Sequence, residues 1–365
     1  MNKLDELIKE LCPDGVEYMS ISDLSRAITP KIKIKSNDYL TDGIYPIIDQ
    51  GQDFIGGYTN IEDVFPKDEY IIFGDHTCVV KFVDFSFAQG ADGVKVLKVN
   101  SPTILPKYLF YCMANIKMDS SYARHWSKMK AIKIPVPHTD IQREIINILD
   151  SFTELTAELT AELTARKQQY EYYRDSLLSF REIKSEEKTL AEIANFKTGT
   201  KPDKILEDYT DNAFYYVNAG TIPSGYVMST NKEGDTVTTP SRGQGGIGFV
   251  GYQGKSFWLG PLCYGIRTKN PDIVTTKYIY YCLCNQTNDI LARKKEGGTP
   301  SLNAVDLGTI KISIPCLETQ HKIVDVLDNF EAICNDFNIG LPAEIASRQQ
   351  QYEYYRDKLL TFKEK

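Results

Sequence analysis

A fifteen-residue segment occurs twice in this chain, and that repetition limits the possible folds more than any other feature. RKQQYEYYRDSLLSF, from Arg166 to Phe180, returns as RQQQYEYYRDKLLTF from Arg348 to Phe362, an offset of 182 in a chain of 365 residues. The match extends upstream. Ile132-Lys-Ile-Pro-Val-Pro137 matches Ile310-Lys-Ile-Ser-Ile-Pro315, and Gln142, Leu149, Asp150 and Phe152 match Gln320, Leu327, Asp328 and Phe330. Lys107-Tyr-Leu-Phe-Tyr-Cys112 matches Lys277-Tyr-Ile-Tyr-Tyr-Cys282, and Tyr45 to Gln50 runs loosely parallel to Tyr215 to Gly220. Such a period is far longer than the ~20–50 residues of stacked solenoid repeats. Each half therefore reads as one globular block followed by one long helix.

After Pro135 and Pro137, Thr139 with Gln142 three positions on predicts a capping box at a helix start. Ile141, Ile145, Ile148, Phe152, Leu155 and Leu159 then follow in steps of four and three, the spacing of a coiled-coil seam. The tandem Thr156-Ala-Glu-Leu-Thr-Ala-Glu-Leu163 inserts four-residue units, each of which unwinds the supercoil locally and adds about 6 Å of helix. The seam resumes at Arg166, Tyr170, Tyr173, Leu177 and Phe180. In the second half Ile323, Val326, Phe330, Ile333, Phe337, Leu341, Ile345, Tyr352, Tyr355, Leu359 and Phe362 carry the same stripe. A break is expected at Gly340 and Pro342, with the proline opening a fresh helix. One such stripe suits an ordinary bundle helix, whereas two in one chain favour mutual pairing. Parallel helices would require the chain to return roughly 60 Å, and Arg181 to Lys188 reaches at most about 29 Å. Antiparallel helices, with the blocks at opposite ends of a rod, are the expectation.

Apolar content of 42% and charged content of 25% are those of a globular protein. No apolar run approaches the ~20 residues of a membrane span, and Met1-Asn-Lys-Leu-Asp-Glu6 lacks the apolar core of a secretory leader, so a cytoplasmic location is expected. Cys282-Leu-Cys284 lacks the spacing of a zinc site. Cys112 and Cys282 lie in aromatic runs at equivalent positions, which reads as core packing. A net charge of −7 argues against indiscriminate polyanion binding and leaves room for local basic faces.

The blocks, residues 12–136 and 182–315, are rich in Tyr, Phe, Ile and Val, with turns marked by Asp42-Gly43, Gly56-Gly57 and the glycines between Gly243 and Gly254. Tyr70–Phe73, Val79–Phe82, Val94–Val99 and Phe249–Tyr252 are expected as strands, and Pro106–Met113 and Lys277–Cys284 as helices. Gly246-Ile-Gly248-Phe-Val-Gly251 fits a dinucleotide fingerprint but lacks a following helix, and Gly254-Lys-Ser256 has Phe249 where a phosphate loop needs glycine. Both read as turns of a β domain. No Ser/His/Asp, Cys/His or paired-carboxylate arrangement emerges. Charge is more informative. Lys117, Arg124, Lys128, Lys130 and Lys133 face only Asp119 in their stretch, with Tyr122, His125 and Trp126 interleaved. The second block has Arg242, Arg293, Lys294 and Lys295, then Thr299, Ser301 and Asn303 after a Gly-Gly pair. Lys31, Lys33 and Lys35 near the start of one block are echoed by Lys197 and Lys201 in the other. Basic side chains hold phosphates, while Arg, Asn, Ser and Thr reach base edges. Their similar placement in both halves makes DNA contact the favoured reading of fifteen of them, all but Lys117 and Lys133.

The doubled Gln-Tyr-Glu-Tyr-Tyr-Arg-Asp segments, the Ile-Pro-Val-Pro and Ile-Ser-Ile-Pro entries to the helices, Gln142 and Gln320, and the Thr-Ala-Glu-Leu units converge on a known family. Over essentially its full length the chain resembles the specificity subunits of type I restriction-modification systems. The resemblance implies an α+β architecture: two similar mixed α/β target recognition domains separated by two long helices forming an antiparallel coiled coil, with internal pseudo-twofold symmetry. The corresponding segments are 1–136, including a short helix over 1–11, then 137–181, 182–315, and 316–365 with a break near 340–342. It also implies a non-catalytic chain that reads bipartite double-stranded DNA, one half per domain. Its coiled coil would hold two modification (methyltransferase) subunits, with motor and restriction subunits added. Ile145, Phe152, Leu155, Leu159, Tyr170, Tyr173, Leu177, Ile323, Phe330, Tyr352, Tyr355 and Leu359 are the expected seam and docking residues. No cofactor is expected in this chain; S-adenosylmethionine, ATP and Mg would belong to the partners, and no membrane is involved. Leu317 stands where the first half has Thr139, a departure from the capping pattern. A coiled-coil scaffold with two ligand-binding domains and no DNA role is the rival, and it predicts no salt-dependent DNA affinity.

Overall fold

The computed structural model describes residues 3–30, 32–90, 93–118, 124–179, 185–243, 246–295, 297–335 and 340–365. The chain divides into two compact units, Met1–Leu159 with Ile345–Lys365, and Thr160–Glu344.

The first unit opens with α1 (Lys3–Leu11), β1 (Glu17–Ser20), α2 (Ile21–Leu24) and β2 (Ser25–Ile28). β3 (Tyr45–Ile48), β4 (Gly57–Thr59), β5 (Tyr70–Gly74), β6 (Val80–Val83), β7 (Ala88–Gln89) and β8 (Val94–Val99) follow. α3 (Pro106–Asn115), α4 (Trp126–Met129), β9 (Lys133–Val136) and the start of α5 (Thr139–Leu177) close the block. One sheet has the order β2-β8-β5-β6 and is antiparallel throughout; a second has the order β4-β3-β7, and β1 pairs with β9. β5 is buried along its whole length, as a continuous apolar run predicts. Its alternation feeds two cores: Ile71 and Phe73 join Tyr108, Ile141 and Ile145, while Tyr70 and Ile72 join Phe65 and Phe87 on the other face.

The second unit repeats the order. β10 (Glu186–Thr189), α6 (Leu190–Ile193), β11 (Ala194–Thr198), β12 (Phe214–Val217), β13 (Tyr226–Val227), β14 (Thr236–Pro240), β15 (Gly251–Gln253), β16 (Trp258–Leu259) and β17 (Cys263–Thr268) come first. α7 (Thr276–Asn285), α8 (Thr287–Ala292), α9 (Ala304–Gly308), β18 (Lys311–Ile314), and α10 (Leu317–Asn335) complete it. The sheet orders β11-β17-β14-β15 and β13-β12-β16 and the pair β10-β18 copy those of the first unit. Strand register corrects one alignment read from sequence: Ile47 opposes Ala88 as Tyr216 opposes Trp258, so Tyr45 corresponds to Phe214, not Tyr215. The Gly246–Gly251 run is a turn feeding a strand. Gly248 has φ +99°, and a Cβ on Gly246 would meet the Ala219 carbonyl oxygen at 2.1 Å. That turn delays β15 to Gly251, two residues after the strand expected at Phe249.

The start of α5 differs from the expected capping box. The His138 carbonyl accepts the N–H groups of Ile141 and Gln142, and the His138 ring nitrogen accepts that of Asp140 at 3.3 Å. Gln142 is fully buried and serves instead as a clamp. Its amide donates to the carbonyls of Thr103 and Pro137, both at 2.8 Å, and its oxygen accepts the Leu105 N–H at 2.8 Å. Gln320 repeats this with Ile273, Pro315 and the Thr275 N–H at 2.8, 2.9 and 3.1 Å. A second clamp lies two turns further on. Tyr111 and Lys107 both donate to Asp150, at 2.5 and 2.7 Å; Tyr281 and Lys277 do the same to Asp328, with Glu331 as an additional acceptor.

Part of the expected seam is therefore domain core: Ile145 and Ile323 are buried against their own blocks. Helix–helix contact is nevertheless made in each unit. In the first, Phe152 stacks on Tyr355 of α11 (Leu341–Leu359) with ring centroids 5.5 Å apart, and Tyr352, Leu359 and Phe362 pack on the core. The chain end then reaches β1, where Tyr18 donates to the Phe362 carbonyl at 2.9 Å. Because β1 lies beside β9, which leads into α5, the two helices of this unit run in opposite senses. In the second unit Tyr173 stacks on Phe330 at 5.5 Å, and Tyr170 and Leu177 pack on the core. Leu159 is buried and Leu155 half-buried. Val326 and Ile333, expected on the seam, are 39% and 42% exposed; Leu327 and Cys334 are buried in their place, because the stripe drifts as the helix follows its block. α11 begins at Leu341 with Pro342 in its first turn, as the proline predicts. Phe180 and Phe337 lie outside the described residues.

Candidate nucleic-acid interface

In the second unit β11 and β14 are both antiparallel to β17, so they run in the same sense and their following loops leave one end of the sheet. β14 continues into Ser241 and Arg242. There the Leu302 N–H donates to the Ser241 carbonyl at 2.8 Å and the Gly243 N–H to that of Pro300 at 3.1 Å. Arg242 and Lys295 both form antiparallel bridges to Ser301, which ties Arg242 to the distant 295–301 turn. Tyr264 braces the turn by donating to the Leu302 carbonyl at 3.0 Å. Gly297 and Gly298 have open space around them, and Thr299 follows, exposed. Arg242 and Asn303 are exposed as well. Lys197 lies on β11 and Lys201 just beyond it, so both belong to the same sheet end.

Some of the basic residues already hold partners within the unit. Arg293 donates to the Asp289 carbonyl at 2.7 Å and to the Thr309 hydroxyl at 3.1 Å, an internal strut between α8 and the turn after α9. Lys295 is 3.2 Å from the Asp306 carboxylate, and Lys294 is half-buried.

The first unit builds the same loop end from different side chains. The His125 N–H donates to the Asp75 carbonyl at 2.9 Å, as Leu302 does to Ser241, and the Trp126 N–H donates to the Asp75 carboxylate at 2.7 Å. Arg124 is thereby held where Ser301 stands in the second unit, and His76 where Arg242 stands. Ile34 donates to the Gln89 carbonyl as Thr200 does to that of Leu259, which makes Lys35 the counterpart of Lys201. Lys33 and Lys35 are exposed. Lys31 lies outside the described residues, as does Tyr122. Lys128 and Lys130 are exposed on or just after α4, but the Lys130 carbonyl accepts the Ser22 N–H, which carries it to the opposite end of the sheet. Gln50, His76 and Thr77 escaped sequence reasoning: Thr77 donates to the Gln50 carbonyl at 2.7 Å and the His76 N–H to the Gln50 side chain at 3.3 Å. Only aligning the strands of the two blocks brings His76 opposite Arg242. Among the described residues no cluster of His, Cys, Asp or Glu is placed to hold a metal ion, and no helix is long and apolar enough to cross a membrane.

The model of the type I restriction modification DNA specificity domain matches residues 13–166 and again 182–347. The chain belongs to that family. This specificity subunit is 34% identical to the specificity subunit of the type I restriction enzymes EcoR124I/EcoR124II of Escherichia coli, over 99% of this chain and 98% of that one. It is 34% identical to a putative type I restriction enzyme specificity subunit of Haemophilus influenzae, over 65% of each. The crystal structure of the S subunit from M. genitalium superimposes with a TM-score of 0.69 at 20% identity, covering 95% of this chain and 97% of that chain, so the fold is shared. The scaffold reading without a DNA role finds no support in these matches.

Proposed function

We propose that each unit of this specificity subunit reads one half of a bipartite double-stranded DNA site with the loops beyond Gly74 and Pro240. The observation that carries this is the doubling of one loop end, with Asp75 receiving His125 as Ser241 receives Leu302, while the side chains around it differ. A common frame with different side chains suits two different half-sites. Lys33, Lys35, Lys197 and Lys201 hold phosphates in this reading, as Lys31 would; Arg124, Arg242, Thr299, Ser301 and Asn303 approach base edges. Arg293 and Lys295 support the loop rather than the DNA.

The long helices act as an antiparallel coiled coil that sets the distance between half-sites and receives two modification subunits. Support comes from the repeated surface. Tyr172 and Tyr354 are 69% and 63% exposed, and each sits against its neighbouring tyrosine at 5.6 and 5.4 Å. Arg174 and Arg356 lie over Tyr170 and Tyr352 at 5.8 and 5.6 Å. Two copies of one surface fit two copies of one partner. The specificity subunit supplies no chemistry in this reading; S-adenosylmethionine, ATP and Mg serve the modification and motor/restriction subunits of a cytoplasmic complex. Mapping modified adenines in the host genome with and without this gene tests it. A two-part motif that vanishes with the gene is expected, and a methylation pattern indifferent to the gene contradicts the proposal.

A further inference from the structure

Lys81 on β6 is 5% exposed, an unusual setting for a lysine, which is rarely buried unless paired. Its ammonium donates to the main-chain carbonyls of Asp49 and Asp53 at 2.9 and 2.5 Å and lies 3.8 Å from the Asp49 carboxylate. These contacts all fall on the loop after β3. Burial lowers the pKa of the lysine and the charges of Asp49 and Asp53 oppose that shift. Other contacts hold the same loop: Gly51 donates to the Asp49 side chain at 2.8 Å and Thr77 to the Gln50 carbonyl. Above the ammonium, Gln52, Asp53 and Phe54 are exposed at the loop tip.

Among the described residues the second unit has no such latch. Lys81 opposes Ile72 as Gly251 opposes Thr238, and Asn218 occupies the position of Asp49. Glycine and an amide stand where the first unit has lysine and a carboxylate, and Asn218 instead accepts the Leu262 N–H at 2.9 Å. The inward-facing charge of Lys81 is unavailable to DNA phosphates.

We infer that Lys81 is a positioning residue that holds the loop 49–54 in its reading conformation, and so sets base preference in one half-site without touching DNA. This rests on the proposed reading of the first unit as a DNA reader. The test compares Lys81→Met and Lys81→Arg with the unaltered full chain, assembled with its modification subunits, in hydrogen exchange and in methylation of a DNA library randomised at both half-sites. In Lys81→Met the amides of 51–56 should exchange about tenfold faster or more while those of β5 stay protected. Discrimination at one or more bases of a single half-site should fall by about tenfold, the size of a lost base contact, with the other half-site unchanged. Lys81→Arg, which retains the charge, should fall between the two. Asp53→Ala should speed exchange of the loop less than Lys81→Met does, because the main-chain oxygen that accepts from Lys81 remains. Unchanged exchange in the loop for both lysine variants, or loss of discrimination in both half-sites alike, would overturn the inference. So would faster exchange with base preferences intact. If the unaltered complex itself selects no sequence, the DNA-reading assignment fails, and the loop exchange still decides whether the latch exists.

Discussion

Gln142 and Gln320 are the residues on which each block's hold on its long helix turns. Each amide satisfies two carbonyls and one N–H that burial removes from water, and each is itself fully buried. Unpaired buried polar groups are costly, so Gln142→Ala should destabilise its unit by roughly 2–4 kcal/mol, read as a lower denaturation midpoint by urea. A change below about 0.5 kcal/mol would mean that water replaces the amide. Gln320→Ala should behave alike, and the two effects should add. The cysteines give a second residue-scale test. Burial pushes the thiols of Cys112 and Cys282 up to about 12, whereas hydrogen bonds with Thr319 lower that of exposed Cys316. Thiolates are the reactive form. A maleimide at pH 8 should therefore modify Cys316 early and reach Cys112 and Cys282 only on unfolding; equal labelling of all three would refute this. The matched positions of Gln142 and Gln320 were plain in the sequence. Their role was not, because a glutamine three residues after a threonine also fits a cap, and only the fold brings Thr103 and Leu105 to its side chain.

Among elements, those with strong local patterns were the legible ones: β5, β8, α3 and α7 lie where their apolar runs indicate. β15 was misjudged at its start because Gly248 adopts a conformation that an apolar pattern cannot report. On the long helices a step of three or four identifies an apolar stripe but not what covers it. The stripe serves the block core at Ile145 and Ile323 and the partner helix at Phe152 and Phe330. The Thr-Ala-Glu-Leu tract is the element whose length can be altered most simply. Removing Thr160–Leu163 shortens α5 by about 6 Å, against about 3.4 Å per base pair. The methylated motif should then carry a spacer shorter by about one or two base pairs with both half-sites unchanged. An unaltered spacer would rule out the helix as the ruler.

For the whole molecule, the repeated sheet orders predict that a block is exchangeable as a unit. Replacing residues 12–136 by the equivalent block of another specificity subunit should change one half-site and leave the other, as read by methylation mapping. Alteration of both halves would contradict independent reading. The exchange should spare the hold on the helix, provided the incoming block brings counterparts of Lys107 and Tyr111 for Asp150.

The duplication, the long helices and the family resemblance are written in the order of residues, since identical letters at a fixed offset and an apolar period are properties of the chain alone. Tertiary structure decided which of the basic residues come together. Arg242, Lys295 and Ser301 meet through main-chain bridges across a sheet end, Arg293 is tied up internally, and Lys130 is carried to the far end by its contact with Ser22. Charge in a sequence has no direction until strand register assigns it one. For the same reason Lys81, which no charge pattern singles out, becomes visible only when β6 turns its ammonium under the 49–54 loop.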